Sequence, residues 1–146
     1  MRKFFLPIIA AILILVGCET YENCEFYADD TKIVTNDVLA YANTWQRDDV
    51  GRVLYQDFSF PEITQAVLEH GNVTVSMVNR GANDETVLNA LPYVFPVSDG
   101  RQFVMQNIRY EVRNGLVTIV MEWGNREMYA APTENYRFRV SIIRPD

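Results

Sequence analysis

Apolar and polar residues alternate with a period of two through most of this chain beyond residue 50, the spacing of strands with one face buried and the other in water. Val53-Leu54-Tyr55-Gln56-Asp57-Phe58 and Val73-Thr74-Val75-Ser76-Met77 alternate or nearly so. From Phe103 to Val112 the pattern puts Ile108, Tyr110 and Val112 on one face and Arg109, Glu111 and Arg113 on the other. Tyr136 to Ile142 alternates strictly, with arginines outward, and Pro145 ends it. Leu116 to Trp123 is apolar almost throughout, which predicts a central strand covered on both faces.

Turn chemistry orders these strands. Asn-Gly in Arg113-Asn114-Gly115-Leu116 is the strongest short hairpin signal, because both residues accept the positive φ of a type I′ turn. Ser98-Asp99-Gly100-Arg101 supplies a second turn. Together they predict an antiparallel meander of Leu88 to Val97, Phe103 to Val112 and Leu116 to Trp123. One segment breaks the period: Phe60 to Gly71 has proline and an acid at its start, Ile63, Ala66 and Val67 at helical spacing, and His70 then Gly71 at its end. It predicts a helix of about two turns over residues 62–70, too short to stand without packing and therefore a connection between sheets. Gly81-Ala82-Asn83-Asp84 and the stretch from Gly124 to Asn135 read as loops. The fold class expected is all-β, a small antiparallel β-sandwich of about seven or eight strands.

The first eighteen residues follow a different pattern. Arg2 and Lys3 precede an apolar run from Phe4 to Val16, and Leu15-Val16-Gly17-Cys18 has the form of a lipobox, cut before its cysteine. That run is too short to cross a hydrocarbon core about 30 Å thick. The reading is a lipoprotein signal peptide over residues 1–17, lipidation of Cys18 by acyl chains such as palmitate, and an address in the bacterial cell envelope. Residues 18–31 are acidic and polar with no apolar period, a tether to a single β-sandwich domain over residues 32–146.

Charge narrows the partners. Removing residues 1–17 takes two of the 13 basic residues and none of the 19 acidic ones, leaving 11 against 19, a formal charge of −8. A nucleic-acid partner needs a basic surface, and none is implied. Lys32 is the sole lysine after residue 17, whereas ten arginines run from Arg47 to Arg144. Arginine pairs well with carboxylates in a planar, two-pronged way, so cross-strand ion pairs on the sheet faces are expected. With Cys18 acylated, Cys24 has no cysteine partner, and no His or basic residue flanks it to make it reactive.

Reactive groups are sparse. His70 is the single histidine, placed to meet the negative end of a helix dipole. Ser59, Ser76, Ser98 and Ser141 sit in no Gly-x-Ser-x-Gly frame, and no glycine-rich phosphate loop follows a strand. Asp29-Asp30, Asp48-Asp49 and Asp84-Glu85 are carboxylate pairs without calcium-loop spacing; Asp48, Asp49 and Asp84 are the ones a cation would use. No catalytic residue, metal or cofactor is nominated. Most aromatics, Phe58, Phe60, Phe95 and Phe138 among them, are expected in the core. Trp45, set among Asn43, Gln46, Arg47 and Asp48, and Tyr129 are the candidate ligand contacts.

The run from Phe60 to Val75, followed by Leu91-Pro92-Tyr93 and by Phe138-Arg139-Val140-Ser141-Ile142-Ile143-Arg144-Pro145, resembles a group of small lipoproteins and secreted proteins of Bacteroidetes-type bacteria. In that group a Pro-x-Ile-Thr helix ends in Gly, Leu-Pro follows, and an Arg-Val-Ile-Ile-Pro-like strand closes the domain after an upstream Trp that Trp45 matches. The resemblance implies a β-sandwich at the outer membrane and brings no catalytic residue. The function expected is a lipid-anchored, non-enzymatic binding or structural module whose ligand is a protein, glycan or envelope component. A hydrolase acting on envelope glycan or peptide, and an accessory subunit of an envelope complex, are the alternatives.

Overall fold

A computed structural model of the chain describes residues 32–48, 50, 53–98, 103–124 and 132–145. Within them lie strands β1 (Lys32–Ala40), β2 (Gln46–Arg47), β3 (Val53–Ser59), β4 (Asn72–Arg80), β5 (Thr86–Ala90), β6 (Tyr93–Ser98), β7 (Phe103–Arg113), β8 (Leu116–Trp123) and β9 (Tyr136–Arg144), with one helix, α1 (Gln65–His70), between β3 and β4. Sheet I has the order β1-β9-β4-β5 and sheet II the order β2-β3-β8-β7-β6. Every pairing is antiparallel. The molecule is an all-β sandwich, as its period-two pattern predicts.

Alternation decides what each strand buries. Leu54, Ile108, Ile119 and Met121 of sheet II and Val75, Phe138, Val140 and Ile142 of sheet I point inward into one shared core and are essentially inaccessible to water. Each such side chain stabilises the fold by about 1.5–3 kcal/mol relative to exposure. Phe60 is buried as well, and Phe58 and Phe95 pack partly buried against the core, as their aromatic character predicts. Strand β8 lies at the centre of sheet II with residues 117 to 121 buried in succession, the double coverage expected of an unbroken apolar run.

Four local expectations need correction. Leu88 to Val97 is not one strand: Ser76 to Arg80 of β4 pair with β5, whereas Tyr93 to Ser98 pair with β7 in the other sheet. The break falls at Leu91-Pro92, joined by a cis peptide. Leu91 still gives its N–H to the Val75 carbonyl at 2.9 Å, but Pro92 has no N–H to extend the ladder. Pro96 is tolerated further on because β6 is an edge strand.

The helix begins three residues later than its proline suggests. Residues 60–63 form a turn in which the Ile63 N–H reaches the Phe60 carbonyl, and Thr64 is the true N-cap, its hydroxyl accepting from Val67 N–H at 3.4 Å. The hairpin tip at Asn114-Gly115 is where expected, but it is not a type I′ turn, since φ is positive at Gly115 (72°) and not at Asn114. A tertiary tie overrides the local preference: Gly115 donates its N–H to Ile63 O at 2.7 Å and accepts from Phe60 N–H at 2.9 Å. Strand β1 is the last difference. The pattern starts the fold near Lys32 to Asn36 without assigning a strand, and in the structure all nine residues from Lys32 to Ala40 pair with β9.

The signal segment, the tether, Cys18, Cys24, Asp49, the tip at Asp99-Gly100 and the stretch 125–131 with Tyr129 lie outside the described residues.

Candidate functional site

The outward face of sheet II is built by residues of the opposite parity to the core set. Register places Tyr55 opposite Val120 and Val120 opposite Arg109, with Asp57, Thr118 and Glu111 forming the next row. Arg109 reaches Glu111 on its own strand at 2.5 Å and Glu122 on β8 at 3.6 Å, and Arg113 holds the second Glu111 oxygen at 3.1 Å. Asn107 donates to Glu122 at 2.8 Å and Thr118 donates to Asp57 at 2.6 Å. Beneath these long side chains Thr118 and Val120 are buried although they face away from the core. Apolar stems of arginine and glutamate cover them while the charged ends stay in water.

Sheet I carries a simpler arrangement. Asp37 and Arg139 are register partners on β1 and β9, and the guanidinium grips both carboxylate oxygens, Nε to Oδ1 at 2.8 Å and a terminal nitrogen to Oδ2 at 3.2 Å. Thr35 and Ser141, two positions along, share a hydroxyl contact at 3.3 Å. The hydrogen bond from Arg139 holds the Asp37 carboxyl below the usual range against a smaller opposing effect of burial. Glu111 is lowered in the same way, first by its hydrogen bond from Arg109. Carboxylates held this way stay ionised, the opposite of what a general acid needs. Two arginines, Arg109 with Glu122 and Arg139 with Asp37, form the cross-strand pairs that their side-chain chemistry predicts.

Trp45 is half-buried against the core, edge-on to Tyr136 with ring centroids 6.4 Å apart. Among the described residues its buried indole Nε1 finds no hydrogen-bond partner, and neither does the buried Gln56 Oε1. Trp45 precedes Gln46 and Gln56 follows Tyr55, the residues paired at the end of the β2–β3 ladder. His70 is exposed in the last turn of α1, 3.8 Å from Glu69. The carboxylates nominated for a cation separate: Asp48, in the β2–β3 connection, accepts from Val53 N–H at 3.0 Å, and Asp84, between β4 and β5, pairs with Arg80 at 3.5 Å. Among the described residues no three His, Cys, Asp or Glu side chains gather as a metal centre would require.

Two features were not singled out from the sequence. Val94, Phe103 and Met105 are 52%, 80% and 48% exposed at one corner of the outward face of sheet II, where Pro96 stands opposite Met105. The signal was present in Tyr93-Val94-Phe95-Pro96-Val97 and Phe103-Val104-Met105, which are apolar at both parities when only one parity can reach the core. The second is a cleft of about 260 Å³ beside α1, lined by Lys32, Thr64, Ala66, Val67, Arg144 and Pro145. Lys32 and Arg144 are register partners, so two cations line it side by side. Compared with protein-family models, with curated proteins and with solved structures, the chain matches none.

Proposed function

We propose that this chain is a lipid-anchored protein of the bacterial cell envelope, at the outer membrane, working as a non-enzymatic binding or structural module. The observation that carries the address is the lipobox Leu15-Val16-Gly17-Cys18 after a basic start and a short apolar run. The non-enzymatic reading is supported by how the carboxylates are used. Asp37, Asp57, Glu111 and Glu122 are each engaged by an arginine, a threonine or an asparagine within the sheet faces. A nucleophile, a base and an orienting group within hydrogen-bond reach are what catalysis would ask for instead.

The contact surface proposed is the outward face of sheet II. There a fixed lattice of Arg109, Glu111 and Glu122 borders the exposed apolar corner of Val94, Phe103 and Met105, the pairing of planar polar groups with apolar area that protein and glycan ligands use. Metabolic labelling with a fatty-acid analogue tests the anchor. Label on the intact chain and none on Cys18→Ala is expected, and a Cys18→Ala chain that still partitions with membranes would count against it. Envelope extracts passed over the immobilised chain test the surface, with retention expected to fall on Phe103→Ala and Met105→Ala. Reproducible cleavage of a glycan or peptide, abolished by changing one carboxylate, would replace the module with a hydrolase.

A further inference from the structure

The two sheets present four edges, and they are not alike. β2 is two residues long, β5 is five, and β6 contains Pro96, each a device that limits further pairing. β1 is nine residues long, free of proline, and paired with β9 in unbroken register from Lys32–Arg144 to Ala40–Tyr136. Among the described residues no strand lies beside its other side, a row of backbone donors and acceptors. Ile33 on this strand is 67% exposed.

We propose that two copies of this chain pair through β1, antiparallel about a two-fold axis at Asn36, merging their four-stranded sheets into one. The strand's own sequence selects this register. Directly opposed residues in an antiparallel pair share a face, so only axes that pass through a residue keep the inward set (Val34, Asn36, Val38) with the inward set; a slip of one position would turn every side chain over. Three axes give substantial overlap. Through Thr35, Ile33 would face Asp37 and Val34 would face Asn36. Through Asp37, the two Asp37 side chains would face each other, and like charges directly opposed are destabilising. Through Asn36, Ile33 meets Leu39, Val34 meets Val38, Thr35 meets Asp37 and Asn36 meets Asn36. Apolar then faces apolar on both sides of the sheet, and a hydroxyl donor faces a carboxylate. Val34 and Val38, each half-buried at the open edge of the core, lose their remaining exposure in this arrangement.

Single cysteines report the register. In the full-length chain with Cys18→Ser and Cys24→Ser, held in detergent, Thr35→Cys, Asn36→Cys and Asp37→Cys each place one thiol at an exposed β1 position. About the Asn36 axis the two Cα atoms at residue 36 lie about 4.5–5.5 Å apart, within disulfide reach, whereas those at 35 or at 37 are offset by two residues and lie about 8 Å apart, beyond it. Mild oxidation is expected to give a disulfide-linked dimer from Asn36→Cys at least tenfold faster than from the other two. Equal rates, or no dimer from Asn36→Cys, would overturn the proposal. A second measurement does not depend on these variants: sedimentation of the chain with its native β1 should show a dimer that Ile33→Lys converts to monomer. A mass unchanged by that exposed substitution would also overturn it.

Discussion

Tyr110 of sheet II donates its phenolic O–H to the backbone carbonyl of Val73 in sheet I at 3.1 Å, closing a gap in a ladder to which it does not belong. β5 covers β4 only from Ser76 to Arg80, and the next carbonyl on that side, Val75 O, is taken by Leu91 N–H. Carbonyls on one side of a strand recur every second residue, so Val73 O is the next to lack a strand partner. Tyr110→Phe keeps the ring and removes the donor, leaving that carbonyl unmatched. A loss of about 1 kcal/mol is expected, read as a melting temperature lower by roughly 4 °C. An unchanged melt would mean that water replaces the phenol without cost.

Gly115 is needed for its backbone angle and not for space. A Cβ there would meet nothing within 4 Å, yet its φ is 72°. Gly115→Val is expected to destabilise by about 1–2 kcal/mol, and Gly115→Asn by distinctly less, because asparagine visits the left-handed region readily. Equal losses in chemical denaturation would show that the ties to Phe60 and Ile63, and not φ, set the requirement.

Gly71 is the converse case, with an ordinary negative φ and no room. A Cβ would collide with the Ile143 carbonyl oxygen and come within 2.9 Å of Val67 O, both backbone atoms that cannot swing aside. Gly71→Ala should therefore cost about 1–3 kcal/mol. An alanine variant as stable as the parent in urea would show that the end of α1 can move away from β9 at no cost.

Acid should weaken the sheet faces. Asp37 and Glu111 have folded-state pKa values below their ordinary ones, through hydrogen bonds from Arg139 and Arg109. Their contribution is present above the unfolded values, near pH 4, and is lost as pH falls through the folded ones. Urea denaturation at pH 7, 4 and 3 should show stability falling chiefly between pH 4 and pH 3, and falling less in Asp37→Asn. Both groups are partly exposed, so the effect is small and shrinks in salt. An identical acid dependence in Asp37→Asn would remove Asp37 from this account.

What the sequence made legible was whatever local chemistry decides. Strict alternation located β7 and β9, an unbroken apolar run located the centre of sheet II, and Asn114-Gly115 located a hairpin. What it hid was decided by partners distant in the chain. The turn at Gly115 changed type because of Phe60 and Ile63, more than fifty residues away along the chain in number. Leu88 to Val97 reads as one apolar stretch, and only the division of its partners between Val78 and Asn107 makes it two strands. β1 was silent because Lys32 to Ala40 mixes polar and apolar residues at both parities and borrows its order from β9. The exposed corner at Phe103 hid for the opposite reason, since apolar residues at an edge look like core until the sheet is assembled.

The place of β9 carries a consequence for how the protein is made. Of the described strands the last in chain order, β9, lies between the first, β1, and β4, pairing with both, with Lys32 opposite Arg144. A chain emerging N-terminus first, from a ribosome or through a membrane, can close the β7–β8 hairpin as soon as residue 123 appears. Sheet I has no inner strand between β1 and β4 until residues 136–144 arrive. Loss of residues 136–144 would thus leave β1 and β4 with nothing between them, so sheet I can assemble only after its inner strand has been made.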